Sequence, residues 1–303
     1  MWQSLLAQLG SGDQRALART LSFVENGIPG YRELLAALRW PAGVHVTGIT
    51  GPPGAGKSTL TDGLIGALVD AGKKVAVLCV DPSSPFNLGA VLGDRIRMSR
   101  WYTHPSVFIR SLATRGSMGG LHPRIIELTD VLRAAGFDHV LVETVGVGQS
   151  EIEVAGLADT TVVVLVPEAG DEVQTMKAGL MEIADIFVVN KSDRPDAAVF
   201  IRNLRQMLAP AFSQHREEIP ILATVAHEGK GLGELADAIN RHGASHRYPA
   251  RRSWLLAEKA WQLILQQRMQ GLSHESLRAA IDAVPPEEFQ LYRFVEEIMS
   301  RES

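Results

Sequence analysis

The stretch Gly51-Pro52-Pro53-Gly54-Ala55-Gly56-Lys57-Ser58 constrains this chain more than any other. It has the form G-x-x-x-x-G-K-[ST], follows the strand-like run Val44–Thr50 and opens a helical pattern over Lys57–Ala71. That order places the backbone N–H groups of Gly54 to Ser58 at a helix N-terminus, where the dipole favours an anion. Lys57 is expected to reach the β- and γ-phosphates of a nucleotide and to serve as a catalytic cation. Ser58 is expected to offer its hydroxyl to Mg²⁺, and Thr59 completes the phosphate-binding set.

The rest of the chain fits a sheet built around that loop. Short apolar, β-branched runs alternate with helical stretches: Val75–Val80, Val107–Ile109, His139–Glu143, Thr161–Val166, Ile186–Val189 and Ile221–Thr224. The helical stretches between them include Pro123–Ala135, Gln174–Glu182 and Leu232–Asn240. Continuous apolar strands separated by helices predict an α/β fold with a mostly parallel sheet covered on both faces. Before it, Leu17, Leu21 and Val24, then Leu34, Leu35 and Leu38, recur at helical spacing. After His246 the strands stop, and Trp254, Ala257, Trp261 and Ile264 share a helical face. The expected division is an N-terminal helical extension over 1–42, a nucleotide-binding domain over 43–246 and a C-terminal helical dimerisation region over 247–303.

A formal charge of −4 supplies no basic field of the kind nucleic-acid binding needs. The single cysteine, Cys79, lies in an apolar run, excludes a disulfide framework and fits a reducing compartment. With no apolar stretch near the ~20 residues that span a bilayer and no signal-peptide pattern, the expectation is a cytoplasmic protein with no membrane or nucleic-acid partner.

A second motif names the base. Ile186-Phe187-Val188-Val189-Asn190-Lys191-Ser192-Asp193 places N-K-x-D at the end of a strand. The Asp193 carboxylate can accept two hydrogen bonds from guanine, at N1–H and the 2-amino group, a donor pair adenine lacks. The Lys191 stem is expected along the base plane. Thr224-Val225-Ala226 is expected to offer a backbone N–H to the guanine oxygen.

Between the two motifs, Asp81 and Glu143 each end a strand, so both carboxylates should face the Mg²⁺–phosphate region. Glu143-x-x-Gly146 has the form of a Walker-B and switch II element, with Gly146 able to sense the γ-phosphate through its N–H. Val147 stands where a Ras-like water-positioning Gln would follow the glycine. Gln149 and Asp94 are the catalytic candidates for that task, and completion by a partner is the alternative. Together these elements predict a GTP-hydrolysing switch that uses Mg²⁺.

The stretches GITGPPGAGKSTL, DPSSPFNLGAVLGDRIRM, FIRSLATRGSMGGL, ETVGVGQSEIEVA, VPEAGDEVQTMKAGLMEIAD and NKSD closely resemble the MeaB/MMAA (formerly ArgK) family, over roughly residues 45–195. The resemblance implies a signal-recognition-particle-like P-loop fold and a homodimer formed through C-terminal helices. It also implies a G-protein chaperone that gates cofactor loading and protection of an adenosylcobalamin-dependent acyl-CoA mutase. In that frame Asp81 to about Arg97 is switch I, Glu143 to about Glu153 is switch II, and Pro167 to Gly179 is a third switch. Asp171 and Lys177 of the third switch would communicate with the mutase. The chain carries no Asp-x-His-x-x-Gly, so the vitamin belongs to the partner. Two other readings stay open: a P-loop small-molecule kinase, and a nickel-type metallochaperone GTPase, which needs exposed Cys/His ligands.

Overall fold

The computed structural model describes the chain except for Ser11, 82–97, 115–120, 145–152, 170–177, 213–218, 245–248, Gln270 and 302–303. Asp94, Gly146, Gln149, Asp171 and Lys177 therefore lie outside the described residues. Seven strands are described: β1 (His45–Thr50), β2 (Val75–Asp81), β3 (Val107–Ala113), β4 (His139–Glu143), β5 (Thr160–Leu165), β6 (Ile186–Val189) and β7 (Ile221–Ala223). They form one sheet in the order β3-β2-β4-β1-β5-β6-β7, and every pairing is parallel. Their carboxyl ends therefore share one edge, where ligands of such sheets bind.

Alternate residues of β1 to β4 feed two cores, whereas β5 and β6 give consecutive residues to one of them. Val75, Val77 and Cys79 of β2 join one cluster, while Ala76, Leu78 and Val80 join the other. The first cluster is closed by α4 (Lys57–Asp70) through Leu60, Leu64 and Leu68, by α7 (Ala197–Phe212) through Phe200, Leu204 and Leu208, and by α8 (Leu232–Ala244) through Leu235 and Ile239. The second is closed by α1 (Trp2–Leu9), α2 (Gln14–Glu25), α3 (Tyr31–Ala37) and α5 (Ile125–Ala134). The N-terminal helices thus supply one of the two covers that an all-parallel sheet requires. Asp13 caps α2, accepting a hydrogen bond from Arg15 N at 2.8 Å. Arg110 of β3 reaches back to α2 and pairs with Glu25 at 2.5 Å.

The remaining helices are α6 (Ala178–Ile183), α9 (Pro249–Arg268), α10 (His274–Asp282) and α11 (Leu291–Arg301). Contacts divide the chain into two compact units, Met1–Leu255 and Leu256–Ser303. The first holds the sheet and the N-terminal helices together, and the division falls inside α9. Among the described residues no helix is long and apolar enough to cross a membrane.

The amino edge of the sheet collects half-buried and buried histidines away from the phosphate loop. His45 Nε2 and His242 Nδ1 both lie 2.7 Å from Thr160 Oγ1, and His242 Nε2 lies 3.3 Å from Asp185. His139, at the start of β4, is 4% exposed and meets the His45 ring edge-on with centroids 6.3 Å apart. Its Nδ1 has no hydrogen-bond partner among the described residues. Burial, reinforced by the neighbouring His45 and Lys73 against the opposing pull of Asp138, holds the His139 pKa down at about 4. A histidine with a depressed folded pKa contributes stability that is complete above its unfolded value of ~6.5 and is lost as pH falls toward 4. Urea unfolding should therefore show a His139-dependent loss of about 3 kcal/mol over that interval. His139→Leu should hold its stability at pH 7 and lose less on acidification. Superimposable acid profiles for the two proteins would exclude this account.

Candidate nucleotide-binding site

The phosphate loop is held open by two glycines. Gly51 leaves β1 at φ +136, and a Cβ there would stand 2.1 Å from the Val164 carbonyl oxygen of β5. Gly56 caps α4 at φ +85, and a Cβ there would stand 2.5 Å from Asn190 Nδ2. Only glycine meets both the left-handed backbone and the close approach. Pro53 and Gly54 are exposed at the tip, Pro52 is half-buried, and Ala55 is buried. Lys57 is 6% exposed, and its Nζ donates to the carbonyls of Gly51 at 2.8 Å and Pro52 at 3.0 Å. The ammonium is therefore carried over the mouth of the loop, where the β/γ-phosphate charge is expected. Thr59 is half-buried on the first turn of α4.

The adjacency of β1 and β4 brings the first acidic strand end to this loop. Ser58 Oγ donates to Glu143 Oε1 at 2.7 Å, with Ser58 8% and Glu143 2% exposed. Glu143 pairs in register with Cys79 of β2, so Asp81, two residues on, emerges on the same side of the sheet one step nearer its carboxyl edge. Asp81 is 4% exposed. One hydroxyl and two carboxylates, all oxygen donors, match what Mg²⁺ selects.

The base-side loop is bolted to the phosphate loop by the N-K-x-D motif. Asn190 Nδ2 donates to Ala55 O at 2.9 Å, and its Oδ1 accepts from Thr224 Oγ1 and Ala226 N, both at 3.1 Å. Lys191 takes a left-handed φ of 55 and donates from Nζ to Gly54 O at 2.8 Å. The Asp193 carboxylate, by contrast, is exposed at the turn that follows. Arg194, the next residue, makes an ion pair with Glu168 in the short turn Pro167–Ala169 after β5.

The 224–226 loop is tied into the base-side motif through its backbone. Thr224 N–H donates to Val189 O, Val225 N–H to Lys230 O and Ala226 N–H to Asn190 Oδ1, so all three backbone donors have protein acceptors. Thr224 Oγ1 and Ala226 N–H together hold the Asn190 amide oxygen. Ser192 was not singled out in the sequence, yet both its N–H and its hydroxyl donate to Thr224 O at 3.0 Å. A small hydroxyl residue between the lysine and the aspartate was the available signal.

The family profile described as "Methylmalonyl Co-A mutase-associated GTPase MeaB" matches residues 17–279. The chain belongs to the MeaB family of GTPases. A protein of Pyrococcus abyssi is 49% identical over 246 residues, covering 80% of this chain and 76% of its own. A fused isobutyryl-CoA mutase of Geobacillus kaustophilus is 35% identical over 261 residues, covering 80% of this chain and 24% of that protein. The crystal structure of an LAO/AO transport system kinase superposes with a TM-score of 0.71 at 28% identity, over 98% of this chain and 97% of the other. The MeaB match starts inside α2 and so takes in most of the helical cover as well as the nucleotide loops.

An exposed Asp193 beside a rigid Asn190–Ala55 bracket predicts a separable specificity change. Asp193→Asn should weaken GDP binding at least about tenfold, the worth of one charged hydrogen bond, and improve binding of xanthine nucleotides, whose C2 oxygen suits an amide donor. Nucleotide titration of the two proteins measures it, and equal GDP affinity would remove Asp193 from base reading.

Proposed function

We propose that this MeaB-family GTPase is the nucleotide-switched chaperone of an adenosylcobalamin-dependent acyl-CoA mutase, gating cofactor loading and protecting the loaded enzyme. The observation that carries the reading is the relative that is itself a fused isobutyryl-CoA mutase, in which the GTPase-like segment shares one polypeptide with the mutase. Fusion keeps two activities at high effective concentration, and it is useful where they act on one another.

In this reading GTP binds across the carboxyl edge with its phosphates at Gly51 to Thr59 and its base at Asp193. Mg²⁺, when bound, neutralises charge on the β- and γ-phosphates. Ser58, Asp81 and Glu143 are the residues that would hold it, and Lys57 adds a fixed positive charge on the same phosphates. Asp94 and Gln149 are the candidates for orienting the attacking water, and Gly146 for sensing the γ-phosphate. The protein acts in the cytoplasm. Kinase chemistry, which the relative's transport-kinase name suggests, is tested by whether GTP is consumed with no acceptor added.

The partner is expected to act through loops that leave the same edge. Pro167–Ala169 follows β5, and Lys177 and Asp171 belong to the segment after it. A mutase that prefers one arrangement of that segment shifts the relative affinity for GTP and GDP by linkage. The addition of purified acyl-CoA mutase should change GTP turnover, and Lys177→Ala should blunt that change while nucleotide binding stays nearly intact. Full partner response in the variant would remove Lys177 from the coupling. No response to methylmalonyl-, isobutyryl- or 2-hydroxyisobutyryl-CoA mutase would overturn the function.

We also infer a homodimer built by the C-terminal helices. On α9, Trp261, Ile264 and Leu265 are exposed at helical spacing, and on α11 so are Tyr292, Val295 and Met299. Apolar stripes of that kind need a covering surface. Light scattering should give a dimer for the full chain and a monomer for a chain ended near Ala250; a monomeric full chain would sink the inference.

A further inference from the structure

Strands β1 and β4 run side by side with Ile49 opposite Glu143. β1 ends at Thr50, and Thr144 is the first residue beyond β4. The Thr144 N–H continues the ladder by donating to Ile49 O at 3.0 Å. Its hydroxyl donates to Thr50 Oγ1 at 3.1 Å, with Thr144 2% and Thr50 0% exposed. One bond therefore joins the residue before the phosphate loop to the residue after Glu143.

Successive side chains of a strand point to opposite faces of the sheet. Ile49 and Cys79, the register partners of Glu143, belong to the core that α4 closes, and Ser58 stands on the first turn of that helix. Glu143 accordingly faces α4, where its carboxylate accepts from Ser58 Oγ at 2.7 Å. Thr50 and Thr144 meet on the other face, which Val46 and Val142 share. The peptide joining Glu143 to Thr144 is thus gripped from both sides of the sheet. Turning it far enough to swing the carboxylate away from Ser58 would also break the hydroxyl pair. Burial alone does not call for hydroxyls here, since valines of the same shape would need no polar partner. What the pair adds is a directed bond.

We propose that Thr144 is a positioning residue for GTP hydrolysis: its hydroxyl, held by Thr50, fixes the end of β4 so that Glu143 stays aimed at Ser58. The proposal rests on reading Ser58 and Glu143 as residues that hold Mg²⁺. Thr144 acts through the peptide it shares with Glu143. Losing its hydroxyl leaves the phosphate loop and the Asn190 bracket in place. Metal-dependent steps should suffer, and metal-free nucleotide binding should not.

The test compares Thr144→Val, Thr144→Ser and Thr50→Val with wild type. The readouts are GTP turnover, GDP affinity with the metal chelated, and the Mg²⁺ concentration that half-maximally slows GDP release. Both valine variants should lower kcat about tenfold or more and raise that Mg²⁺ concentration at least about threefold, with metal-free GDP affinity within about twofold. Thr144→Ser keeps the hydroxyl and should recover most of the rate and of the Mg²⁺ response. Equal losses in Thr144→Ser and Thr144→Val would assign the effect to the methyl group and overturn the proposal. An unchanged kcat or Mg²⁺ requirement in both valine variants would do the same. Should Thr144→Val fail to fold, Thr50→Val removes the same bond from the neighbouring strand and carries the test. Ser58→Ala, measured alongside, separates the two claims. An unchanged Mg²⁺ requirement there removes the metal reading, whereas a raised one beside wild-type behaviour in both valine variants removes the hydroxyl tie.

Discussion

The buried amide of Asn190 is the junction on which the site depends. One end donates to Ala55 in the phosphate loop, and the other accepts from Thr224 and Ala226. A carboxamide supplies donor and acceptor from one rigid plane, so a single side chain sets the distance between the part that holds phosphates and the part that holds a base. Gly56 is the complement of this arrangement, since any Cβ there would displace the amide. At 2% exposure the bonds are shielded from water, and removing any partner leaves a buried polar group unsatisfied.

Sheet order extends the same logic to the metal side. Because β4 lies between β1 and β2, the hydroxyl after one strand meets the carboxylate ending the next, and Asp81 follows on the third. Had β4 run at the sheet's margin, Glu143 could not have reached Ser58. The polar groups at the opposite edge do different work. There the chain His45–Thr160–His242–Asp185 satisfies strand starts against α8, and burial holds the His45 pKa below its usual value.

Much of this was legible because it is local. The phosphate loop and N-K-x-D are contiguous patterns, and His139–Glu143 and Ile186–Val189 are continuous apolar runs whose ends the structure reproduces. The strand expected over Val107–Ile109 continues to Ala113, and Arg110 within it is paired with Glu25 from a helix far away in sequence. Helix Ala197–Phe212 went unmarked, although Phe200, Leu204 and Leu208 give it a clear buried face. The bond between Thr50 and Thr144 had no local signature at all, since two hydroxyls 94 positions apart meet only through the fold.

The turn after β5 and the N-K-x-D loop are joined by a weaker bond at the rim of the site. Glu168 and Arg194 connect the turn after β5 to the residue following Asp193 across a half-exposed ion pair. A bond of that kind contributes little to folding in salt. It can nevertheless bias two loops whose alternative arrangements differ by a few kcal/mol. Strong buried contacts such as Asn190–Ala55 must persist in every nucleotide state, or the site would come apart. Exposed pairs at the rim are free to exchange partners, and a docked protein can compete for them. Under the proposed function, a fixed bracket and an exchangeable rim would let one surface hold nucleotide and still report its state to a partner.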